Sequence, residues 1–149
     1  MQPLNYQITE CDCGLTTINN AILSLLGRSN FNLHLKNKID LICVDEPNFH
    51  GTSRIAMEHI GKVIEKYTSL KSRYIKNIEL DDLEIELKYT DFSNTKVILR
   101  TKYGVVEGDE HYVLIMRVDE MGMHIFDPYY VEGVTKSSTY YGIESNRYI

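Results

Sequence analysis

The hydrophobic pattern of this 149-residue chain changes period within its second half, and this change limits the possible folds. In the earlier part, apolar residues recur every three or four positions, which is the spacing of one face of a helix. In the later part, short runs rich in valine, isoleucine and leucine are separated by turns, which is typical of strands. Helices followed by strands in this order predict an α+β fold, with N-terminal helices packed on an antiparallel β-sheet.

Helical periodicity defines four segments before the period changes. In the first, apolar side chains recur at steps of three and four residues, and Gly27 stands where a helix C-cap is expected. Farther along, Thr52 or Ser53 is a natural N-cap for the apolar stripe that follows it. The predicted helices are residues 13–26, a short helix at 33–39, a helix that follows Thr52 or Ser53, and residues 81–88.

Strand patterns dominate the later part of the chain. Strands are predicted at residues 96–100, 111–118 and 123–126, with a further short strand at 72–75. The sequence Asp119-Glu120-Met121-Gly122 makes a tight turn, so the strands on either side of it should pair as an antiparallel hairpin. The chain has no internal repeat, low-complexity tract or linker, and we interpret residues 1–149 as one domain.

Charge and hydropathy exclude several classes of function. The 16 basic and 21 acidic residues give a net charge of -5, and the basic residues are scattered, which argues against nucleic-acid binding. No apolar stretch approaches the roughly 18 residues needed to span a membrane. Residues 1–10 lack the basic and apolar regions of a signal peptide. We therefore expect a cytoplasmic protein without a membrane span.

The three cysteines point to reduced thiols. An odd number of cysteines in a chain without a secretion signal favours the cytosol over a disulfide framework. Cys11 and Cys13 form a Cys-x-Cys pair, but no second pair exists and the five histidines do not fall at metal-ligand spacing. We predict no metal and no other cofactor.

Cys13 is the candidate nucleophile, because it is predicted to begin the first helix. Backbone N–H groups and the positive end of the helix dipole favour a thiolate at that position, and the thiolate is the nucleophilic form of cysteine. A cysteine can also occupy such a position simply as a small buried side chain. The nucleophile prediction therefore depends on finding a base and its partner elsewhere in the chain.

His111 and Asp127 are the candidate base and the group that orients it. His111 begins one strand of the predicted hairpin and Asp127 follows the other strand, so the hairpin should place them side by side. The imidazole can hold the thiol proton, and the carboxylate can accept the other ring N–H and fix the tautomer. His111 lies 98 positions after Cys13 (111 − 13), so only the tertiary fold can bring the two together.

Nucleophilic attack on a carbonyl also requires donors for the developing oxyanion, and losing one such donor typically costs about 10²–10³ in rate. The side-chain amide of Gln7 and the backbone N–H of Cys13 are the candidates. None of these residues is diagnostic alone. The prediction of cysteine-dependent acyl chemistry depends on their occurring together, in this order and on these elements.

Four short segments resemble a known family. Residues 7–14, Gln-Ile-Thr-Glu-Cys-Asp-Cys-Gly, resemble the Gln-x4-Asp-Cys-Gly signature of the C39 peptidase family, papain-like cysteine proteases that remove double-glycine leader peptides from bacteriocins and quorum-sensing peptides. The run His-Tyr-Val-Leu-Ile from His111 is similar to the family's His-aromatic-Val strand. The segment Ile-Phe-Asp-Pro, which ends at Pro128, is similar to the family's hydrophobic-Asp-Pro segment. The segment Gly-Thr-Ser, which begins at Gly51, is similar to the Gly-Thr/Ser sequence that opens the family's second helix.

The resemblance implies a papain-like cysteine peptidase fold with Cys13 as nucleophile, His111 as base and acid, Asp127 as the orienting carboxylate and Gln7 as oxyanion donor. It also implies an endopeptidase that cleaves a peptide or leader peptide after a double-glycine motif, through an acyl-enzyme. Many members of the family are N-terminal domains of ABC exporters, so the implied partners are a peptide substrate and an ABC transporter. The family usually has a small residue, often Ala, where this chain has Thr16.

Two other functions fit the same residues. An acyltransferase or amidase that acts on a small substrate would use the same triad, because the acyl-enzyme is common to both reactions and the fold does not choose the acceptor. A degenerate domain that binds peptides or a partner protein would keep the fold without turnover. A closed pocket at Cys13 would favour the first alternative, and a Cys13 thiol without enhanced reactivity would favour the second.

Overall fold

The computed structural model describes residues 4–9, 11–43, 45, 51–101, 110–129 and 139–141. In these residues α-helices are followed by β-strands, so the predicted α+β class is confirmed. The helices are α1 (Cys13–Leu26), α2 (Leu33–Cys43), α3 (Arg54–Tyr67) and α4 (Leu80–Lys88), with a single 3₁₀ turn at Arg28–Asn30. The strands are β1 (Val97–Thr101), β2 (His111–Asp119), β3 (Gly122–Phe126) and β4 (Thr139–Tyr141).

The four strands form one antiparallel sheet in the order β1-β2-β3-β4. The hairpin of β2 and β3 is confirmed, because Asp119 pairs with Gly122 and leaves two residues in the turn. Gly122 has a φ of 114°, a conformation that side chains other than glycine rarely adopt. A register shift between Ile115 and Arg117 bends β2. The short strand β4, which extends the sheet beyond β3, was not predicted.

Helix α1 lies between the sheet and the other N-terminal helices. On one side, Ala21 packs with Leu114 of β2 and Phe126 of β3. On the other side, Ile18 and Ile22 pack with buried residues of α2 and α3, namely Leu35, Ile39, Cys43 and Ile60. The predicted packing of N-terminal helices on the sheet therefore takes place through α1, which is fixed on two faces.

Helix α4 packs against a second set of buried strand residues. Leu83 and Leu87 pack with Val113 and Ile115 of β2, whereas Leu114 between them faces α1. Successive residues of a strand point to opposite faces, so α1 and α4 cover the two faces of β2. This explains why β2 begins with a continuous buried run rather than an alternating one.

The predicted helix boundaries agree closely with the structure, except that α2 continues to Cys43. One strand prediction is wrong. Ser53 caps α3 as expected, with its hydroxyl accepting the Ala56 N–H at 3.1 Å. The predicted strand at residues 72–75 is not a strand: these residues are exposed and lie outside the sheet. In the described part of the chain, no helix combines the length and the apolar character needed to cross a membrane.

Gly14 allows α1, β2 and the start of α3 to approach one another closely. A Cβ atom on Gly14 would lie 2.4 Å from Oγ1 of Thr52 and 3.2 Å from Cδ2 of Tyr112. Those neighbours are themselves held in place, because the Tyr112 hydroxyl donates to the Thr52 carbonyl (3.1 Å) and the Thr17 hydroxyl donates to the Tyr112 carbonyl (3.0 Å). The residue after Cys13 therefore has no room for a side chain.

We expect Gly14→Ala to destabilise the fold by about 1–3 kcal/mol, because buried neighbours must shift to admit the methyl group. Chemical denaturation of both proteins would measure the difference. Gly61→Ala is the matched control: its Cβ would lie 2.7 Å from Oγ of Ser72, an exposed side chain that can rotate away. A Gly14→Ala protein as stable as the Gly61→Ala protein would contradict the close packing described for Gly14.

Candidate active site

Cys13 is the first residue of α1, so its side chain lies at the positive end of the helix dipole. The helix is fixed on both faces by the contacts described above, which fixes the position of the sulfur. Cys13 is largely buried, with 8% of its surface exposed. Asp12 occupies the N-cap position, but its side chain makes no capping hydrogen bond to the helix.

His111 is the first residue of β2 and is also largely buried. Its main chain pairs with Thr101 of β1, whose hydroxyl donates to the His111 carbonyl at 3.2 Å. The ring of Tyr129 stands edge-on to the imidazole, with 6.5 Å between the ring centroids. The main chain of His111 is therefore held by the sheet, and its imidazole stands against an aromatic ring.

Asp127 directly follows β3 and is 2% exposed. Its Oδ1 lies 2.6 Å from Nε2 of His111, so the hairpin brings the two side chains together as expected from the turn. The same oxygen accepts the backbone N–H of Tyr129 at 2.8 Å. A buried carboxylate is costly unless it is hydrogen-bonded, and these two donors both bind Oδ1 and fix the orientation of Asp127.

The side chain of Cys13 lies close enough to the imidazole of His111 to affect its pKa. Because Nε2 is engaged by Asp127, Nδ1 is the ring nitrogen left for the sulfur. Burial disfavours the charged imidazolium, but the interactions with Asp127 and Cys13 outweigh it and raise the pKa of His111 to about 9. A positively charged ring next to a sulfur stabilises negative charge on that sulfur.

Gln7 is anchored next to Asp127, and its orientation is only partly that of an oxyanion donor. Its backbone N–H donates to the carbonyl of Pro128 at 2.9 Å, which ties Gln7 to the residue after Asp127. Its side-chain Nε2 donates to the carbonyl of Thr9 at 2.8 Å. Within the described residues, no hydrogen bond joins Gln7 to Cys13. One of the two N–H bonds of the amide therefore donates to the Thr9 carbonyl. The other N–H bond is the one that would have to donate to an oxyanion if Gln7 has its predicted role.

Two residues that sequence reasoning missed hold this region together. Asn20 is fully buried and exchanges two hydrogen bonds with the main chain of Asn5, at 2.8 and 2.9 Å. This pair attaches the segment that contains Gln7 to α1. Tyr112 is the second residue, through its bond to Thr52. The sequence signal for Asn20 was an asparagine among the apolar positions of a predicted helix. A buried polar side chain needs a hydrogen-bond partner, so such a residue indicates a contact with another segment.

The other two cysteines differ from Cys13 in their surroundings. Cys43 is completely buried, and burial raises the pKa of its thiol to about 12, so it remains protonated. Cys11 is partly exposed, and all three cysteines are free. Among the described residues, no group of three or more histidine, cysteine, aspartate or glutamate side chains is arranged to hold a metal ion.

Charged residues from both halves of the fold lie next to the site. Glu110, which precedes His111, forms ion pairs with Arg100 of β1 and, at 3.9 Å, with Arg54, the first residue of α3. The guanidinium of Arg100 lies 5.9 Å from the centre of the Tyr112 ring. These contacts bridge the helices and the sheet beside the Cys13–His111 pair.

The raised pKa of His111 makes stability depend on pH. The group binds its proton up to about pH 9 in the folded protein but only up to 6.5 in the unfolded chain. Its stabilising contribution should therefore be complete below pH 6.5 and be lost as the pH rises to about 9. Thermal unfolding of the wild type and of His111→Gln across this range measures the contribution as the difference between the two proteins.

In that experiment, His34→Gln is the control, because His34 is an exposed histidine for which only a ring contact with Tyr67 is described. We expect its melting temperature to follow that of the wild type at every pH. A His111→Gln protein whose melting temperature varied with pH as the wild type does would contradict the interaction of His111 with Asp127 and Cys13.

No family model, curated protein or solved structure matches the chain. The arrangement of Cys13, His111 and Asp127, together with the sequence motifs that contain them, is therefore the basis on which a function can be proposed.

Proposed function

We propose that this chain is a papain-like cysteine endopeptidase of the C39 peptidase type, which cleaves a peptide or leader peptide after a double-glycine motif. The observation that carries the proposal is the 2.6 Å contact of His111 with the buried carboxylate of Asp127, beside Cys13, which begins a helix and lies close enough to affect the pKa of His111. A nucleophile, a base and a group that orients the base are the three parts that such a reaction needs.

The arrangement of the two halves of the fold supports a papain-like architecture. The nucleophile begins a helix, whereas the base and the carboxylate belong to an antiparallel sheet against which that helix packs. In this proposal a peptide would approach Cys13 at the boundary between α1 and β2, where the two sets of residues meet. Glu110 and Arg54 lie at the same boundary.

The reaction would proceed in two steps. In the first, the Cys13 sulfur, whose proton has passed to His111, attacks the carbonyl carbon of the scissile bond, and a C–S bond forms as the carbonyl electrons move onto oxygen. His111 then gives its proton to the leaving nitrogen, the C–N bond breaks, and the amine product departs from a thioester acyl-enzyme. In the second step, a water molecule attacks the thioester, gives its proton to His111, and releases the acid as the C–S bond breaks.

The pKa of His111 suits the first step. With a pKa of about 9, the imidazole carries the proton that the leaving nitrogen needs throughout the neutral range. Asp127 supports this form of the ring, since its carboxylate lies 2.6 Å from Nε2. The acylation rate should therefore fall as the pH rises above about 9, where His111 loses that proton.

The oxyanion would be stabilised by the backbone N–H of Cys13 and the free N–H bond of the Gln7 amide. Helix α1 begins at Cys13, and its first N–H groups have no carbonyl partner within the helix. Gln7 is anchored through the carbonyl of Pro128. Aligned donors of this kind are worth about 10²–10³ in rate each.

Leader-peptide cleavage, rather than general proteolysis, is supported by the motif of residues 7–14 and its resemblance to the double-glycine leader peptidases. On the same resemblance we propose an ABC transporter as a partner in export of the processed peptide. The three free cysteines support the proposal of a cytoplasmic location. These proposals concern the substrate and its route, and the triad does not depend on them.

We expect Cys13→Ala and His111→Ala to lower cleavage of a Gly-Gly leader peptide by more than about 10⁴-fold, because each removes an essential part of one unit. Liquid chromatography with mass spectrometry of the products would measure this, and a peptide with both glycines replaced would test the cleavage site. Cleavage by Cys13→Ala at close to the wild-type rate would show that the assignment is wrong.

Cys11→Ala is the matched control, since Cys11 is a free cysteine two residues from Cys13. We expect it to retain most of the activity and to react with a thiol-directed peptide warhead at Cys13 as the wild type does. If the products carried an added amine or alcohol instead of a free carboxylate, acyl transfer would replace hydrolysis as the reaction. Peptide binding without turnover in the wild type would favour the degenerate binding domain.

A further inference from the structure

The side chain of Asp12, directly before Cys13, binds the preceding loop instead of the helix that it precedes. Its Oδ2 accepts the backbone N–H of Ile8 at 3.1 Å. Its Oδ1 accepts both the backbone N–H and the hydroxyl of Thr9, at 2.9 and 3.0 Å. One carboxylate thus receives three hydrogen bonds from two consecutive loop residues, and the loop is folded back onto the start of α1.

This orientation leaves the N-terminus of α1 open. An aspartate at the N-cap position usually accepts a hydrogen bond from an N–H group of the first turn. Asp12 does not: its side chain makes no capping bond, and only its carbonyl joins the helix, by accepting the Thr16 N–H at 2.9 Å. The N–H groups at the start of α1 therefore have no competing carboxylate from Asp12.

The same loop holds the amide of Gln7. Thr9, which is bound to Asp12 through its N–H and hydroxyl, uses its carbonyl to accept Nε2 of Gln7 at 2.8 Å. The main chain of Gln7 is held separately, by its bond to the Pro128 carbonyl. A connected series of hydrogen bonds therefore leads from Asp12 through Thr9 to Gln7, and Gln7 is fixed at both its main chain and its side chain.

We propose that Asp12 and Thr9 are positioning residues, which hold the Gln7 amide in place as an oxyanion donor and keep the first-turn N–H groups of α1 available to the oxyanion. This inference rests on the proposed function, because it assigns a role within that reaction. In this role neither residue needs to contact the substrate. Both act through Gln7 and through the N-terminus of α1.

Two substitutions separate this role from a general effect on folding. Asp12→Asn replaces one of the two acceptor oxygens by an amide N–H₂ group, and Thr9→Val removes the hydroxyl with little change of shape. We expect each to lower kcat about tenfold or more on a Gly-Gly leader peptide, with KM nearly unchanged, because a displaced oxyanion donor acts on the transition state. Thr9→Ser, which restores the hydroxyl, should recover most of the kcat.

Asp91→Asn is the matched control for Asp12→Asn. The carboxylate of Asp91 also accepts three hydrogen bonds from a loop, from the N–H and hydroxyl of Ser93 and from Asn94, but that loop joins α4 to β1. We expect this variant to lose as much stability as Asp12→Asn and to keep its kcat. Equal losses of kcat in the two variants would indicate a general effect of destabilisation and would overturn the inference.

Coupling to Gln7 is the decisive measurement. Residues that act through one another are not additive, so Thr9→Val should cost much less in a Gln7→Ala background than in the wild type. The rate of Cys13 alkylation against pH supplies a second readout. Thr9→Val changes no charge, and we expect it to leave this profile unchanged while kcat falls.

Each outcome identifies which proposal fails. If Cys13→Ala abolishes cleavage but Thr9→Val costs the same factor with and without Gln7, the proposed function stands and the positioning role is wrong. The positioning role is also wrong if Gln7→Ala has no effect on kcat. If the wild type cleaves no peptide and its Cys13 reacts no faster than Cys11, the proposed function itself fails. If Asp12→Asn does not fold, Thr9→Val, which changes an exposed residue, still decides the question.

Discussion

Burial of α1 on two faces controls where the other elements of this molecule lie. Ala21 contacts the sheet while Ile18 and Ile22 contact the other helices, so α1 cannot shift toward either layer without opening a cavity in the opposite one. Gly14 makes the approach close enough for Tyr112 and Thr52 to meet across the start of the helix. The position of the Cys13 sulfur relative to β2 follows from this packing.

Electrostatics then acts on a geometry that is already fixed. Asp127 is buried, and a buried carboxylate is stable only with donors such as His111 and the Tyr129 N–H. Burial alone would lower the pKa of His111, but the contacts with Asp127 and Cys13 raise it. Cys43 shows the contrast: burial without a cationic neighbour raises the pKa of its thiol to about 12. Cys13, unlike Cys43, lies beside the imidazole of His111.

The segment before α1 adds precision to this arrangement. It is attached to α1 through Asn20, to the end of the sheet through Pro128, and to the helix start through Asp12. These three attachments hold the segment against both of its neighbours, α1 and the end of the sheet. They are consistent with a segment that presents a side-chain amide at a defined position, which is the role proposed for Gln7.

Most of the local elements could be predicted from the chain alone, because helix periodicity, caps and turn residues act over a few positions. These signals correctly predicted a helix from Cys13 that ends before Gly27, and a turn at residues 119–122 that pairs the strands next to His111 and Asp127. The strand predicted at residues 72–75 was wrong because a strand also needs a neighbouring edge to pair with. The approach of Cys13 to His111 and the bonds of Asn20 to Asn5 arise only in the folded molecule, since burial between layers joins residues that no local pattern connects.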